Sequence, residues 1–424
     1  MKKRLPLILC LLLLGSSCKK NENNIVADNN DSTETPVFVD TASFFEVRLY
    51  APGDHGSANW RIPALLCLND GSLLTVCDKR KYNESDLPED IDLVASRSTD
   101  GGRTWSDPVT IVQGTGRKHG YGDAALVQCE NGDIICAFAG ANGYFASNES
   151  DPIRTYVCRS TDGGITWGEP NDVTSTLWGS QATNSVCKNY RGCFFSSGNG
   201  LRLRRGSHAG RIMFAVPMLR KGENVSDNFI VYSDDNGHTW QVSYRAYNGG
   251  DEAKLMELVD GRLLLSTRQS GARGYNISND GGIHWGQQGH WDEMTTNACN
   301  GDMLRVMATD MGDSINLLLH SLPNSMQREN VSLFASRDEG ESWQHTKTLF
   351  EGPSVYSSLT LMPNRCIGVL LEKNPNGACE IWFQQWPIRE LQKYTKKNNK
   401  NDADNQILLN VHKGLTHFSD ASAL

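Results

Sequence analysis

The stretch that decides the fold is Ser98-Thr99-Asp100-Gly101-Gly102-Arg103-Thr104-Trp105. It recurs as Ser160 to Trp167, Ser233 to Trp240, Ser278 to Trp285 and Ser336 to Trp343, so the shared pattern is S-x-D-x-G-x-T-W. His284 and Ser342 replace the Thr in the last two copies. The Asp carboxylate can accept hydrogen bonds from the backbone N–H groups of its own turn. Gly supplies the positive φ that a tight hairpin needs, and Trp packs beneath it. Strand-like runs precede the copies, at 91–96, 154–158, 228–232 and 331–335. The leading serines stand 62, 73, 45 and 58 residues apart, about one four-stranded sheet each. Turn-locked hairpins at such a period indicate an all-β fold, a β-propeller. Five boxes, with sheet sequence before the first and after the last, predict six blades. Glu380 to Trp386 reads as the closing strand of the last blade, and no run reads as a long amphipathic helix.

The 424 residues are 38% hydrophobic and 21% charged with 10 Trp, enough to bury a sizeable core. The formal charge is −8, and three units more negative without Lys2, Lys3 and Arg4. That excludes broad nucleic-acid binding and leaves room for a local basic pocket. The three cations precede an apolar run from Leu5 to Leu14, too short to span a bilayer, and then Gly15-Ser16-Ser17-Cys18. Residues 1–17 read as an export signal. The junction resembles a bacterial lipoprotein site with Cys18 lipidated, although Gly15 replaces the usual bulky aliphatic residue. Residues 18–43 read as a polar tether, 44–394 as the propeller, and 395–424 as a disordered low-complexity tail. The expected location is the cell envelope or the medium, with membrane contact only through that lipid.

Ten of the 12 cysteines follow Cys18, singly in apolar runs, and read as small core residues. Export permits disulfides, and Cys187 with Cys193 could close a hairpin, but spacing alone pairs neither. No CxxC or HExxH spacing occurs, so neither a metal nor an organic cofactor is expected.

Outside the boxes, several ionisable residues stand out by context. Arg61-Ile62-Pro63 follows Trp60, and Asp86 lies in a polar loop with Asp90 as its rival. Glu252 follows Gly249-Gly250-Asp251, with Glu257 as a competitor. Arg268 ends a strand-like run, Arg328 follows Met326-Gln327, and Tyr356 precedes Ser357-Ser358. Asp86 follows Arg61 by 25 residues and precedes the first box by 12. Glu252 precedes Arg268 by 16, and Arg328 precedes Tyr356 by 28. In that order and at those intervals the chain resembles the exo-α-sialidases of the bacterial and mammalian sialidase superfamily, over roughly residues 44–388. The same boxes also resemble those of non-enzymatic propellers.

The resemblance implies that Arg61, Arg268 and Arg328 clamp the carboxylate of a sialic acid, a task suited to guanidinium forks. It implies Tyr356 as nucleophile, because a neutral phenol avoids the repulsion that a carboxylate would meet beside that anomeric carboxylate. Glu252 then takes the phenolic proton, and Asp86 serves as acid and then base. Arg80 and Asp123 would face the O4 and N-acetyl side of the sugar, with Tyr121 lining the pocket. The implied partners are sialylated glycans, met by a monomer. Two alternatives remain open: a glycan-binding propeller without catalysis, and an intramolecular trans-sialidase. The basic group Arg202, Arg204, Arg205 and Arg211 reads as an exposed loop that could also steer anions.

Overall fold

The computed structural model describes residues 42–393. Cys18, with the export signal and most of the tether, and the 395–424 tail lie outside the described residues. Six sheets form six blades, each built on four antiparallel strands; Gly198–Asn199 adds a short parallel strand inside blade 2, and Leu201–Arg202 adds an antiparallel one to blade 3. Blade 1 runs Asn59–Cys67, Leu73–Arg80, Ile91–Ser98 and Val109–Val112. Blade 2 runs Tyr121–Gln128, Ile134–Ala141, Ile153–Ser160 and Asn171–Asp172, and blade 3 runs Tyr190–Cys193, Ile212–Arg220, Ser226–Ser233 and Gln241–Val242. Blade 4 has Ala253–Glu257, Leu263–Thr267, Ser270–Ser278 and Gly289–Asn297, and blade 5 has Asp302–Met307, Leu317–Pro323, Val331–Ser336 and Gln344–Thr348.

Blade 6 differs. Its first three strands are Ser354–Met362, Cys366–Lys373 and Glu380–Pro387, and its outer edge is the first strand of the propeller, Phe45–Tyr50. Phe45 pairs with Gln385 and Val47 with Phe383. The segment Glu380 to Trp386, expected to close the last blade, is therefore its third strand. Pairing the first strand of the propeller with the last leaves the ring without an open seam, where an unpaired edge would invite aggregation. It also explains five boxes in six blades. Each box turns the chain from the third strand to the fourth, and blade 6 has no such turn.

The box geometry follows its chemistry. Asp100 Oδ1 accepts from the N–H groups of Arg103 and Thr104, each at 3.0 Å, and Oδ2 accepts the Thr104 hydroxyl at 2.7 Å. The replacements keep that last bond: His284 Nδ1 and the Ser342 hydroxyl reach their Asp Oδ2 at 2.7 and 2.5 Å. The box glycine has a second duty. Beyond its φ of +92°, a Cβ on Gly102 would stand 2.1 Å from the Phe383 ring of blade 6. Likewise Leu74 of blade 1 occupies the Cβ position of Gly164, and Ile135, Met213 and Leu264 crowd those of Gly237, Gly282 and Gly340. Four of these five side chains are the second residue of the second strand in the preceding blade. Each box is thus a joint between blades as well as a turn.

Within a blade the start of the innermost strand, the end of the second and the start of the third share one rim, while the box lies at the other. Cys187 and Cys193 are separate buried thiols.

Candidate active site

The predicted residues fall at the rim opposite the boxes. Arg61, Asp123 and Tyr356 sit near the starts of innermost strands, and Glu252 directly precedes one. Arg80 and Arg268 end or follow second strands, and Asp86 and Arg328 lie in the loops after second strands. Three of those innermost strands break register at the site residue: between Arg61 and Ala64, between Gly122 and Ala125, and between Ser354 and Ser357. A bulge re-aims a side chain that the pleat would otherwise alternate away. Ile62 (φ 57°) and Asp123 (φ 58°) take left-handed backbone there, a conformation rare for β-branched Ile62 above all.

The centre is a three-residue contact. The Tyr356 hydroxyl donates to Glu252 Oε2 at 2.6 Å, Arg268 Nη1 donates to the same oxygen at 2.5 Å, and Arg268 Nη1 lies 3.0 Å from the Tyr356 oxygen. Glu252 is 1% exposed. Burial, and then the Glu252 carboxylate, push the Tyr356 hydroxyl well above the ordinary phenol value. Asp251 adds an ion pair to Arg268 Nε at 3.3 Å. The Arg61 guanidinium stands 5.6 Å from the centroid of the Tyr356 ring. Arg328 comes from blade 5. Its Nη2 donates to the Ala298 carbonyl at 3.2 Å, and its own carbonyl accepts from Ser354 N–H, two residues before Tyr356. Its side chain has no carboxylate within ion-pair distance among the described residues, which leaves a cation free for an anionic ligand.

A second cluster adjoins it. Arg80, fully buried, pairs with Asp78 at 3.0 Å and Asp86 at 2.7 Å, and donates to the Glu84 carbonyl. The Asp86 side chain is 74% exposed, so it faces solvent. Partial desolvation raises its carboxyl, but Arg80, then Arg61 and Arg328, hold it below the usual carboxylate range. Its rival Asp90 pairs with Lys81 at 2.9 Å instead. The Asp123 N–H donates to Asp78 at 3.2 Å, and burial with Asp78 and Asp86 pushes the Asp123 carboxyl well up. Burial likewise pushes Asp78 up to about 6 despite Arg80. Tyr121 packs its ring edge-on against Phe138 at 5.8 Å and Tyr156 at 5.6 Å, as part of the blade-2 core.

Two sequence candidates lie elsewhere. Glu257 is at the far end of its strand from Glu252, about 16 Å along it at strand rise. There it accepts from the N–H groups of Arg204 and Arg205 and pairs with the Arg205 guanidinium at 2.9 Å. In the basic group, Arg205 also pairs with Asp310 and Arg211 with Asp234. Two of its four charges, Arg205 and Arg211, are thus matched at the box rim.

Sequence reasoning missed Glu372, Asp78 and Ser197. Fully buried Glu372 accepts Arg61 Nε at 2.8 Å and Ile62 N–H at 2.7 Å on one oxygen, and Tyr356 N–H at 3.0 Å on the other. One carboxylate thus ties an arginine to the tyrosine across 16 residues of hairpin. The Ser197 hydroxyl reaches Glu252 Oε1 at 3.2 Å. The only local signal for Glu372 was a charge directly after the apolar run Ile367 to Leu371, in a strand that would bury it.

A family model described as a BNR repeat-like domain matches residues 81–369. The chain is similar to a sialidase of Micromonospora viridifaciens, 31% identical over 346 residues, covering 78% of this chain and 52% of that one. It is also similar to a sialidase of Bacteroides fragilis, 28% identical over 363 residues, with 80% and 64% covered. The chain thus spans about half to two-thirds of the length of these curated relatives. Among solved structures, the Hadza microbial sialidase Hz136 superposes with a TM-score of 0.70 at 27% identity, covering 82% of this chain and 68% of that one. An intramolecular trans-sialidase from Ruminococcus gnavus superposes at 0.69 with 18% identity, over 81% and 98%, a likeness of fold.

Proposed function

Starting from the fact that the chain belongs to the BNR-repeat sialidase superfamily, we propose that it is an exo-α-sialidase, releasing terminal α-linked sialic acid from glycans with net retention. The observation that carries this is the contact of Tyr356 with Glu252 and Arg268. A sugar bearing a carboxylate on its anomeric carbon would be gripped by Arg61, Arg268 and Arg328. Tyr356 Oη attacks the anomeric carbon while its proton passes to Glu252 Oε2. A phenol so hard to ionise cannot attack as a pre-formed phenolate, so the base is needed during the step. The bond to the leaving oxygen breaks as Asp86 protonates that oxygen. In the second half Asp86 takes a proton from water, the water oxygen displaces Tyr356, and Glu252 returns the phenolic proton.

Asp86 must carry a proton to begin, yet the free site holds it ionised. The bound carboxylate offsets the fields of Arg61 and Arg328, and the sugar covers the loop. Both effects raise the Asp86 carboxyl when the acid is needed.

Turnover of a fluorogenic α-sialoside by the purified chain tests the reading, with early product followed by proton NMR. Free α-sialic acid is expected. No release across pH 4–8 counts against sialidase activity, and an anhydro sugar counts for intramolecular transfer. The sequence Gly15-Ser16-Ser17-Cys18 supports action from a lipid-anchored position in the cell envelope. Mass analysis of the mature N-terminus should find a lipidated Cys18.

A further inference from the structure

Glu252 is sealed from water, so whatever meets each of its oxygens is set by the protein. Oε2 is shared by Tyr356 and Arg268. Oε1 has one hydrogen-bond partner among the described residues, the buried Ser197 hydroxyl at 3.2 Å. Ser197 lies in the segment 194–200, which passes from the innermost strand of blade 3 to the inner edge of blade 2, where Gly198 pairs with Ala125.

A serine hydroxyl carries one hydrogen and two lone pairs. Buried Asn300 decides where that hydrogen points. Asn300 Oδ1 accepts the Gly301 N–H at 2.9 Å, and a backbone N–H can only donate. The amide NH2 must therefore face the other way, and it lies 3.1 Å from Ser197 Oγ and 3.3 Å from the Ser197 carbonyl. An amide NH2 has no lone pair to offer, so Ser197 cannot donate to Asn300, and its hydrogen goes to Glu252. Lys254 also donates to the Ser197 carbonyl and pins the same peptide.

We infer that Asn300 and Ser197 form a positioning relay for the base: they fill Glu252 Oε1 with a donated hydrogen, so that the proton leaving Tyr356 can land only on Oε2. This rests on the sialidase reading of Tyr356 and Glu252. A hydrogen bond donated to a carboxylate stabilises its charge, so loss of the Ser197 bond should show in the pH dependence of turnover. Glu252 faces other charges that the relay leaves unchanged. Arg268 touches it, and Arg273 and Lys254 lie within electrostatic range. On the acidic side are Tyr356 in contact, neighbouring Asp251, and Asp123 and Cys299 in range. Removing an uncharged hydroxyl alters none of them, so a change in the pH profile reports the lost bond.

The test is the pH profile of kcat/KM for full-length wild type, Ser197→Ala and Asn300→Ala on one fluorogenic sialoside. In Ser197→Ala the acidic limb should move to higher pH by about one unit, the scale of one hydrogen bond to a charged group. Asn300→Ala leaves the hydroxyl but frees it to turn, so its limb should move the same way by less. A Ser197→Ala enzyme that turns over with its limb at the wild-type position overturns the inference, however much its rate falls. If Ser197→Ala fails to fold by circular dichroism, Asn300→Ala decides alone: an unmoved limb overturns the relay. No turnover by wild type overturns the sialidase reading and the relay with it, whereas turnover with unmoved limbs overturns the relay only.

Discussion

Tyr356 is a buried phenol beside a carboxylate, and that fixes what its neighbours must do. Replacing it by Phe removes the attacking oxygen and little volume. Sialoside turnover should fall by at least about 100-fold, with an unchanged far-UV spectrum. Asp86→Asn should discriminate among leaving groups. Release from a sialyl-lactose, whose leaving alkoxide needs a proton, should fall by about 100-fold or more, while release of an aryl leaving group of low basicity should fall much less. Glu372→Gln should cost about 3 kcal/mol in a denaturant titration and raise KM, because it strips a buried partner from Arg61. Arg61, Glu252, Arg268 and Tyr356 were legible because they keep fixed order and intervals relative to the boxes, and the fold brings them into one contact network. Glu372, Ser197 and Asn300 were not. Each is an ordinary polar residue in its own neighbourhood, and its meaning lies in a partner between 55 and 311 residues away in the chain, which only the assembled ring brings near.

At the scale of the element, the bulge and the box divide the labour between the two rims. Bulges need no distinctive residue, so the register breaks at Arg61, Asp123 and Tyr356 left no mark in the sequence, whereas the box announces itself because its turn needs Ser, Asp, Gly and Trp at set places. The box carboxylates also set an acid response. Hydrogen bonds to the turn lower Asp162 from 3.8 to about 2 against a small burial penalty. The folded form therefore holds that proton less tightly than the unfolded chain. Its stabilisation is complete above about pH 4 and is lost as pH falls through the folded value near 2. Thermal melts of Asp162→Asn should show a lower Tm at pH 5 and a shallower fall of Tm between pH 4 and 2 than wild type. Gly102→Ala should be worse, since strained φ and a clash with Phe383 combine, at about 2–4 kcal/mol. Shortening the plug, as Gly102→Ala with Phe383→Leu, should recover the part due to the clash, measured by the same melts.

For the whole molecule, closure is the decisive contact. The count of blades was readable from five repeats, but the identity of the closing strand was not, because Phe45–Tyr50 and Glu380–Pro387 each look like a strand and nothing local says that they pair. Deleting the chain through Tyr50 should bare the edge of Glu380–Pro387 and expose Phe383 and Trp386. The expected result is a markedly lower melting temperature and aggregation on heating, followed by calorimetry and light scattering. The contacts at the box glycines carry a different consequence. A side chain near the start of the second strand fills the hollow at the glycine of the following unit, so a typical unit carries both plug and socket. Tandem duplication of one unit would deliver matched mates at both new seams, and the ring could grow or shrink by whole modules without redesign of its joints. A module grafted from an unrelated propeller would arrive with the wrong key.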